Sequence, residues 1–162
     1  MTWKNKIKSN TQFDGFISAL DIFKTSLEAS SVNKEYMINA DGKNIMNFLN
    51  DNNIKNENLF WRKDKMATVR SGDYKLIRLN DTSTVLYNIK KNYFEDFDLK
   101  INESQVHDSL LKLLSSWENT LIDPNWIENK NWNIVTEMIY EDLMANRDIR
   151  AVSPKDLNNS VK

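Results

Sequence analysis

Cysteine is absent from this sequence of 162 residues, histidine occurs once, proline twice and glycine three times. Without cysteine there is no disulfide framework, no cysteine-ligated zinc and no thiol nucleophile. A chain so poor in glycine has no phosphate-cradling loop of the G-x-x-x-x-G-K or G-x-G-x-x-G kind. One histidine leaves no room for a multi-histidine metal site. Charge of one sign is missing as well: 22 basic residues stand against 23 acidic ones, a net charge of -1, which speaks against a protein built mainly to hold nucleic acid. No run of about 18–20 apolar residues spans a membrane, and the basic start is not followed by the apolar stretch of a secretory signal. The expectation is a chain with no membrane span and no export address.

What is present is 40% apolar residues in a length that suits roughly one domain. The first dozen residues read as a connector or a short edge strand. Phe16, Leu20, Phe23 and Leu27 then recur at helical spacing, with Asp14 as the candidate N-cap. This helix should fade by Ser30–Ser31 and be followed by a loop with a turn at Asp41–Gly42. Ile45, Met46, Phe48 and Leu49 suggest two helical turns that end in the Asn50–Asn53 cluster. From residue 58 the period changes to that of strands: Leu59–Trp61, Met66–Arg70, Tyr74–Leu79 and Thr84–Ile89, joined by tight turns. This is an antiparallel meander, and its mixed faces suit a sheet covered on one side. A helix predicted from near Asn102, capped by Asn102 with Gln105, carries the stripe Val106, Leu110, Leu113, Leu114 and Trp117 and is stopped by Asp123–Pro124. A last amphipathic segment runs from about Trp132 through Val135, Ile139 and Leu143. A polar, frayed tail is expected after Arg150. The fold class is α+β.

The residue types that carry chemistry do not assemble into a motif. His107 falls off the apolar stripe and reads as an exposed helix histidine, and no serine sits in a G-x-S-x-G elbow. Glu95-Asp96-Phe97-Asp98 is rich in oxygen but lacks the spacing of a calcium loop, so a solvated turn is the better reading. The same holds for Asn50–Asn53. Trp117 belongs to the core stripe. Trp61, beside Arg62 and close to Lys65 and Arg70, is a candidate for the rim of an anionic groove.

The order of short segments adds a resemblance. Asp14–Thr25 resembles the helix "vs-x-x-Asp-Ile-x-Pro-Thr" of formylglycine-dependent sulfatases, in the alkaline-phosphatase-like superfamily, with Lys24 where proline is usual. Thr2–Ile7 looks like the family's upstream "P-x-x-x-x-W-P-G-x-I" segment, and Asp41-Gly42-Lys43-Asn44-Ile45 like its "Asp-Gly-x-x-Leu" element. Leu59-Phe60-Trp61-Arg62 is similar to its "x-Phe-Trp" strand. Ala67–Ile77 resembles the hairpin "ala-val-Arg-x-Gly-x-(Trp/Tyr)-Lys-Leu-(Ile/Val)". Leu86–Ile89 with Glu95 is similar to "Leu-Tyr-Asp/Asn-Leu … Glu". The series covers residues 1 to about 120, and the hairpin is its strongest member.

The resemblance implies the C-terminal portion of such an enzyme. It assigns residues 1–57 to the end of the catalytic α/β domain, 58–122 to a C-terminal α+β subdomain and 123–162 to a helical extension and tail. Complete family members use calcium and a formylglycine formed in a Cys/Ser-x-Pro-x-Arg motif, and in bacteria they are usually periplasmic or secreted. That motif is absent here, so no catalytic or metal residue is carried over and no cofactor is expected in this chain. Three readings follow. The chain is an inactive sulfatase fragment whose parent activity is sulfuric ester hydrolysis on a sulfated carbohydrate. Or it is a module that binds sulfated polysaccharide through Trp61, Arg62, Lys65 and Arg70. Or it partners a separately encoded catalytic half.

Overall fold

A computed structural model describes residues 2–30, 35, 40–49, 58–126 and 128–158. The chain is α+β and divides into two compact units, Met1–Glu57 and Asn58–Lys162. The Asn50–Asn53 turn cluster falls outside the described residues. Among the described residues no helix is long and apolar enough to cross a membrane.

The second unit is built on four antiparallel strands in the order β1-β2-β3-β4: Leu59–Lys63, Met66–Ser71, Tyr74–Arg78 and Thr84–Asn88. The connections are short because the sequence supplies residues that tolerate a left-handed backbone where the chain reverses. Asp64 has φ 52° between β1 and β2, and Gly72 has φ 55° between β2 and β3. Strand alternation then places Phe60, Val69, Leu76 and Leu86 in one cross-strand row. Helix α3, Ser104–Glu118, covers that row with Leu110 and Leu114, while Trp117 stacks on Phe60 at 4.9 Å between ring centres. All five residues of the helical stripe join this core.

Three boundaries depart from sequence expectation in this unit. Asn102 is not the cap of α3: Glu103 occupies that position, and its carboxylate accepts the hydroxyl of Tyr74 instead of capping the helix. Helix α3 stops at Glu118, before Asp123–Pro124, because the Thr120 amide and hydroxyl both turn back to the carbonyl of Trp117. The tail is not simply frayed. After helix α4, Lys130–Met144, Ala151 is buried and Pro154–Asn158 form a 3-10 turn, whose Asp156 carboxylate accepts the amides of Val152 and Ser153. Within α4 the buried residues are Val135 and Asp142, and Asp142 accepts from the guanidinium groups of Arg147 and Arg150 and from the Arg150 amide.

The first unit holds α1, Ala19–Ala29, and α2, Ile45–Leu49. The N-cap is Ser18, not Asp14. Ser18 and Asp21 form a reciprocal capping box, which satisfies two backbone donors that Asp14 is too far upstream to reach. No strand forms in residues 2–18; the chain there makes turns. The face of α1 that is buried is polar, consisting of Asp21 and Thr25. The Asp21 carboxylate accepts the Lys43 amide at 2.8 Å, and Thr25 Oγ1 accepts the Ile45 amide at 2.8 Å. Gly42, at φ 87°, lets the 41–43 segment approach closely, because a Cβ there would lie 2.5 Å from the Leu20 carbonyl.

Candidate functional site

The four candidate rim residues all sit on or beside the β1–β2 hairpin, but strand alternation separates them. Trp61 and Arg70 lie on the sheet face opposite α3: Trp61 pairs with Thr68, and Arg70 pairs with Leu59 and Lys75. The two are diagonal neighbours, at about 7–8 Å between backbones. Trp61 is 52% exposed, and Arg70 is half-buried. Arg62 projects from the other face, and Lys65 is exposed in the hairpin turn. No single face presents the quartet. The alternation of consecutive strand residues is the sequence signal that separates Trp61 from Arg62.

Arg62 belongs to a different cluster. On the helix side, Arg78 of β3 forms a two-pronged pair with Glu118 at the end of α3, at 2.6 and 2.7 Å, and donates to the Lys65 carbonyl at 3.1 Å. Arg62 donates to the Asp64 carbonyl at 3.0 Å and stands 3.8 Å from the same Glu118 carboxylate. Two guanidinium groups thus share one largely buried anion, and the fork geometry holds the C-terminus of α3 to the sheet. The pairing of Arg78 with Glu118, forty residues apart, leaves no trace in the local sequence. At the hairpin tip, Lys63 pairs with Glu128 at 3.2 Å, and Asn133 donates to Asp64.

The opposite face is open at β1 and closed toward β4. Tyr87 and Val85 are buried there, and Lys75 donates to both oxygens of Glu95 at 2.8 Å. Burial, followed by the Glu95, Asp98 and Asp96 carboxylates, pushes the Tyr87 hydroxyl up to about 12. On this face the Trp61 indole is exposed, with Thr68 opposite it and Arg70 as a diagonal neighbour. A half-exposed ring next to a guanidinium group can stack on a sugar face and pair with an anionic substituent.

The other candidates have structural employment. The His107 side chain is not exposed: its Nε2 meets Thr84 Oγ1 at 2.9 Å and its Nδ1 meets Asp108 Oδ1 at 2.9 Å, at the seam of α3 and β4. The order Thr–His–Asp matches that of a nucleophile triad. Asp108, however, is mostly in water, and the Thr84 hydroxyl lies at the seam against the His107 ring. The acidic cluster is dispersed: Glu95 goes to Lys75, Asp96 accepts from Asn92, and Asp98 accepts the Leu86 and Lys100 amides. Among the described residues no group of three or more His, Asp and Glu is placed to hold a metal ion.

No family model matches the sequence, and no curated protein does. Solved structures do. Two crystal structures of Ps i-CgsB, one in complex with k-i-k-neocarrahexaose, superpose with a TM-score of 0.62 at 22% identity. Each match covers 87% of this chain and 33% of the other, so the chain spans about a third of the length of the structures it matches. The likeness is one of fold.

Proposed function

We propose that this chain is the smaller part of a sulfatase-type protein that acts on a sulfated carbohydrate, and that by itself it hydrolyses no sulfate ester. The observation that supports this most is the superposition on one third of Ps i-CgsB, whose crystal structure holds k-i-k-neocarrahexaose. The ordered motif series from Thr2 to Glu95 points the same way. The proposed inactivity follows from the sequence: no cysteine is present, and neither proline is preceded two places earlier by serine, so there is no residue to become formylglycine. A purified preparation of the chain should release no sulfate from an aryl sulfate or from k-i-k-neocarrahexaose above a buffer blank. Sulfate release that tracks the purified chain would overturn the reading.

A second reading draws on Trp61 and Arg70. They share a sheet face that Arg62 does not, since Arg62 lies on the helix side beside Glu118. If the chain binds sulfated oligosaccharide in this way, Trp61→Ala and Arg70→Ala should each weaken binding about tenfold in calorimetry, in line with about 1–2 kcal/mol for such contacts. Arg62→Ala should change it little. Equal losses for all three variants would reject a site on this face.

A further inference from the structure

We propose that an aliphatic groove in the first unit, edged by a run of lysines, binds a free long-chain fatty carboxylate. The groove has a volume of about 560 Å³ and is lined by residues of the first unit alone. That volume falls in the range of about 300–1,000 Å³ usual for small-molecule sites. Its apolar walls are Ile7, Phe13, Ile17, Ile22, Ile45 and Leu49. Ile17 directly precedes the Ser18 cap and Ile22 lies in the first turn of α1, a spacing that puts both on one side of the helix start. They are 43% and 60% exposed, so the unit leaves this wall in water. Leu20 and Phe23 are exposed as well but do not line the groove.

The lining selects the kind of ligand. Among the described residues no ionisable side chain lines the groove. Its hydroxyl protons are already committed: Thr11 donates to the Lys8 carbonyl, Thr25 to that of Asp21 and Ser26 to that of Ile22. A peptide or a sugar laid here would bury carbonyl or hydroxyl oxygens with no donor to meet them, which is costly. An aliphatic chain asks only for apolar surface, and every apolar wall residue except Phe13 is aliphatic.

Charge at the edge supplies the head group. Ile7 stands between Lys6 and Lys8, with Lys4 close upstream, and all three lysines are exposed. Residues 2–13 contain no acidic side chain. A carboxylate at the end of the bound chain is therefore drawn to this segment. A bilayer surface fits less well, since the apolar feature is a groove that takes up one chain and not a ridge that enters a membrane. The site is independent of the sulfatase-type reading.

Calorimetric titration of the full 162-residue chain tests the site. Dodecanoate should bind saturably, and octanoate at least about tenfold more weakly, because fewer methylene groups leave water. Ile17→Glu and Ile22→Glu should each lower dodecanoate affinity at least about tenfold and Ile22→Ala about threefold, with far-ultraviolet circular dichroism unchanged. The double change Lys6→Glu, Lys8→Glu should weaken dodecanoate about fivefold and leave neutral decan-1-ol unaffected. Leu20→Glu and Phe23→Glu should bind like the parent. The proposal is overturned by a lack of saturable dodecanoate binding, by an affinity independent of chain length, or by an Ile22→Glu variant that binds normally. Equal losses in Leu20→Glu also overturn it. So does adsorption to phosphatidylglycerol vesicles that Ile22→Glu abolishes while free dodecanoate fails to bind. Displacement of dodecanoate by k-i-k-neocarrahexaose would give the groove to carbohydrate instead.

Discussion

Two ionisable side chains give the second unit a pH signature. Burial pushes the Asp142 carboxyl up, but the Arg150 amide and the guanidinium groups of Arg147 and Arg150 outweigh it and hold the group below its ordinary 3.8. As pH falls, the unfolded chain takes up this proton first. The contribution is therefore complete above about pH 4 and is lost as pH falls through the folded-state value. Thermal unfolding should show Asp142→Asn to be less stable than the parent at neutral pH, with the gap narrowing as pH falls below about 4. A gap independent of pH would reject the assignment. Tyr87 works in the opposite direction. Its folded value of about 12 lies above the ordinary 10.0, so its contribution is present below about pH 10 and lost between there and 12. Absorbance at alkaline pH should show a late tyrosine ionisation near pH 12, and Tyr87→Phe should remove it. Neither behaviour is written in the local sequence. Asp142 lies within an amphipathic helix, and the return of Arg147 and Arg150 gives its buried carboxylate its partners.

The elements differ in how their inward faces are chosen. Helix α3 follows its apolar stripe, because the sheet row of Phe60, Val69, Leu76 and Leu86 offers an apolar surface to cover. Leu114 is fully buried between them, so Leu114→Ala should cost about 2–5 kcal/mol in denaturant unfolding of the second unit. Helix α1 does not follow its stripe. The periodicity of Phe16, Leu20, Phe23 and Leu27 predicts an inward apolar face, yet Asp21 and Thr25 are the residues turned inward, because they satisfy the backbone of the 43–45 segment. Without these side chains the Lys43 and Ile45 amides would lose their acceptors, which is costly for buried donors. That close approach depends on Gly42. Gly42→Ala adds a Cβ 2.5 Å from the Leu20 carbonyl at a positive φ and should destabilise the first unit by more than about 1 kcal/mol, while the unfolding of the second unit is unchanged. A shift in both transitions would show that the effect is not local.

At the scale of the molecule, the two compact units have separate hydrophobic arrangements. The residues of the main core, from Phe60 to Trp117, all belong to the second unit. Expressed alone, residues 58–162 should keep a cooperative unfolding transition and the near-ultraviolet signal of stacked Phe60 and Trp117. Loss of both would mean that the first unit is required for that core. The strand order, the turns and the α3 stripe were legible in the sequence, because each rests on local spacing: alternation for strands, a three-to-four period for the helix, Asp or Gly where the chain reverses. The candidate rim was legible only in part. Trp61 and Arg70 share a face and Arg62 does not, which depends on register. The Glu118 carboxylate that engages Arg62 comes from another element altogether.

The sequence by itself determined the α+β class, the four-stranded meander, the covering helix and the absence of a Cys/Ser-x-Pro-x-Arg segment. These follow from composition and from periods shorter than one element. Only the tertiary structure decided which residues face each other over long separations: Arg78 with Glu118, Asp142 with its two arginines, and the polar inward face of α1 that leaves Leu20 and Phe23 in water. Side-chain partners so far apart in the chain are chosen by which surfaces the fold brings within a few ångströms, and no local spacing encodes that.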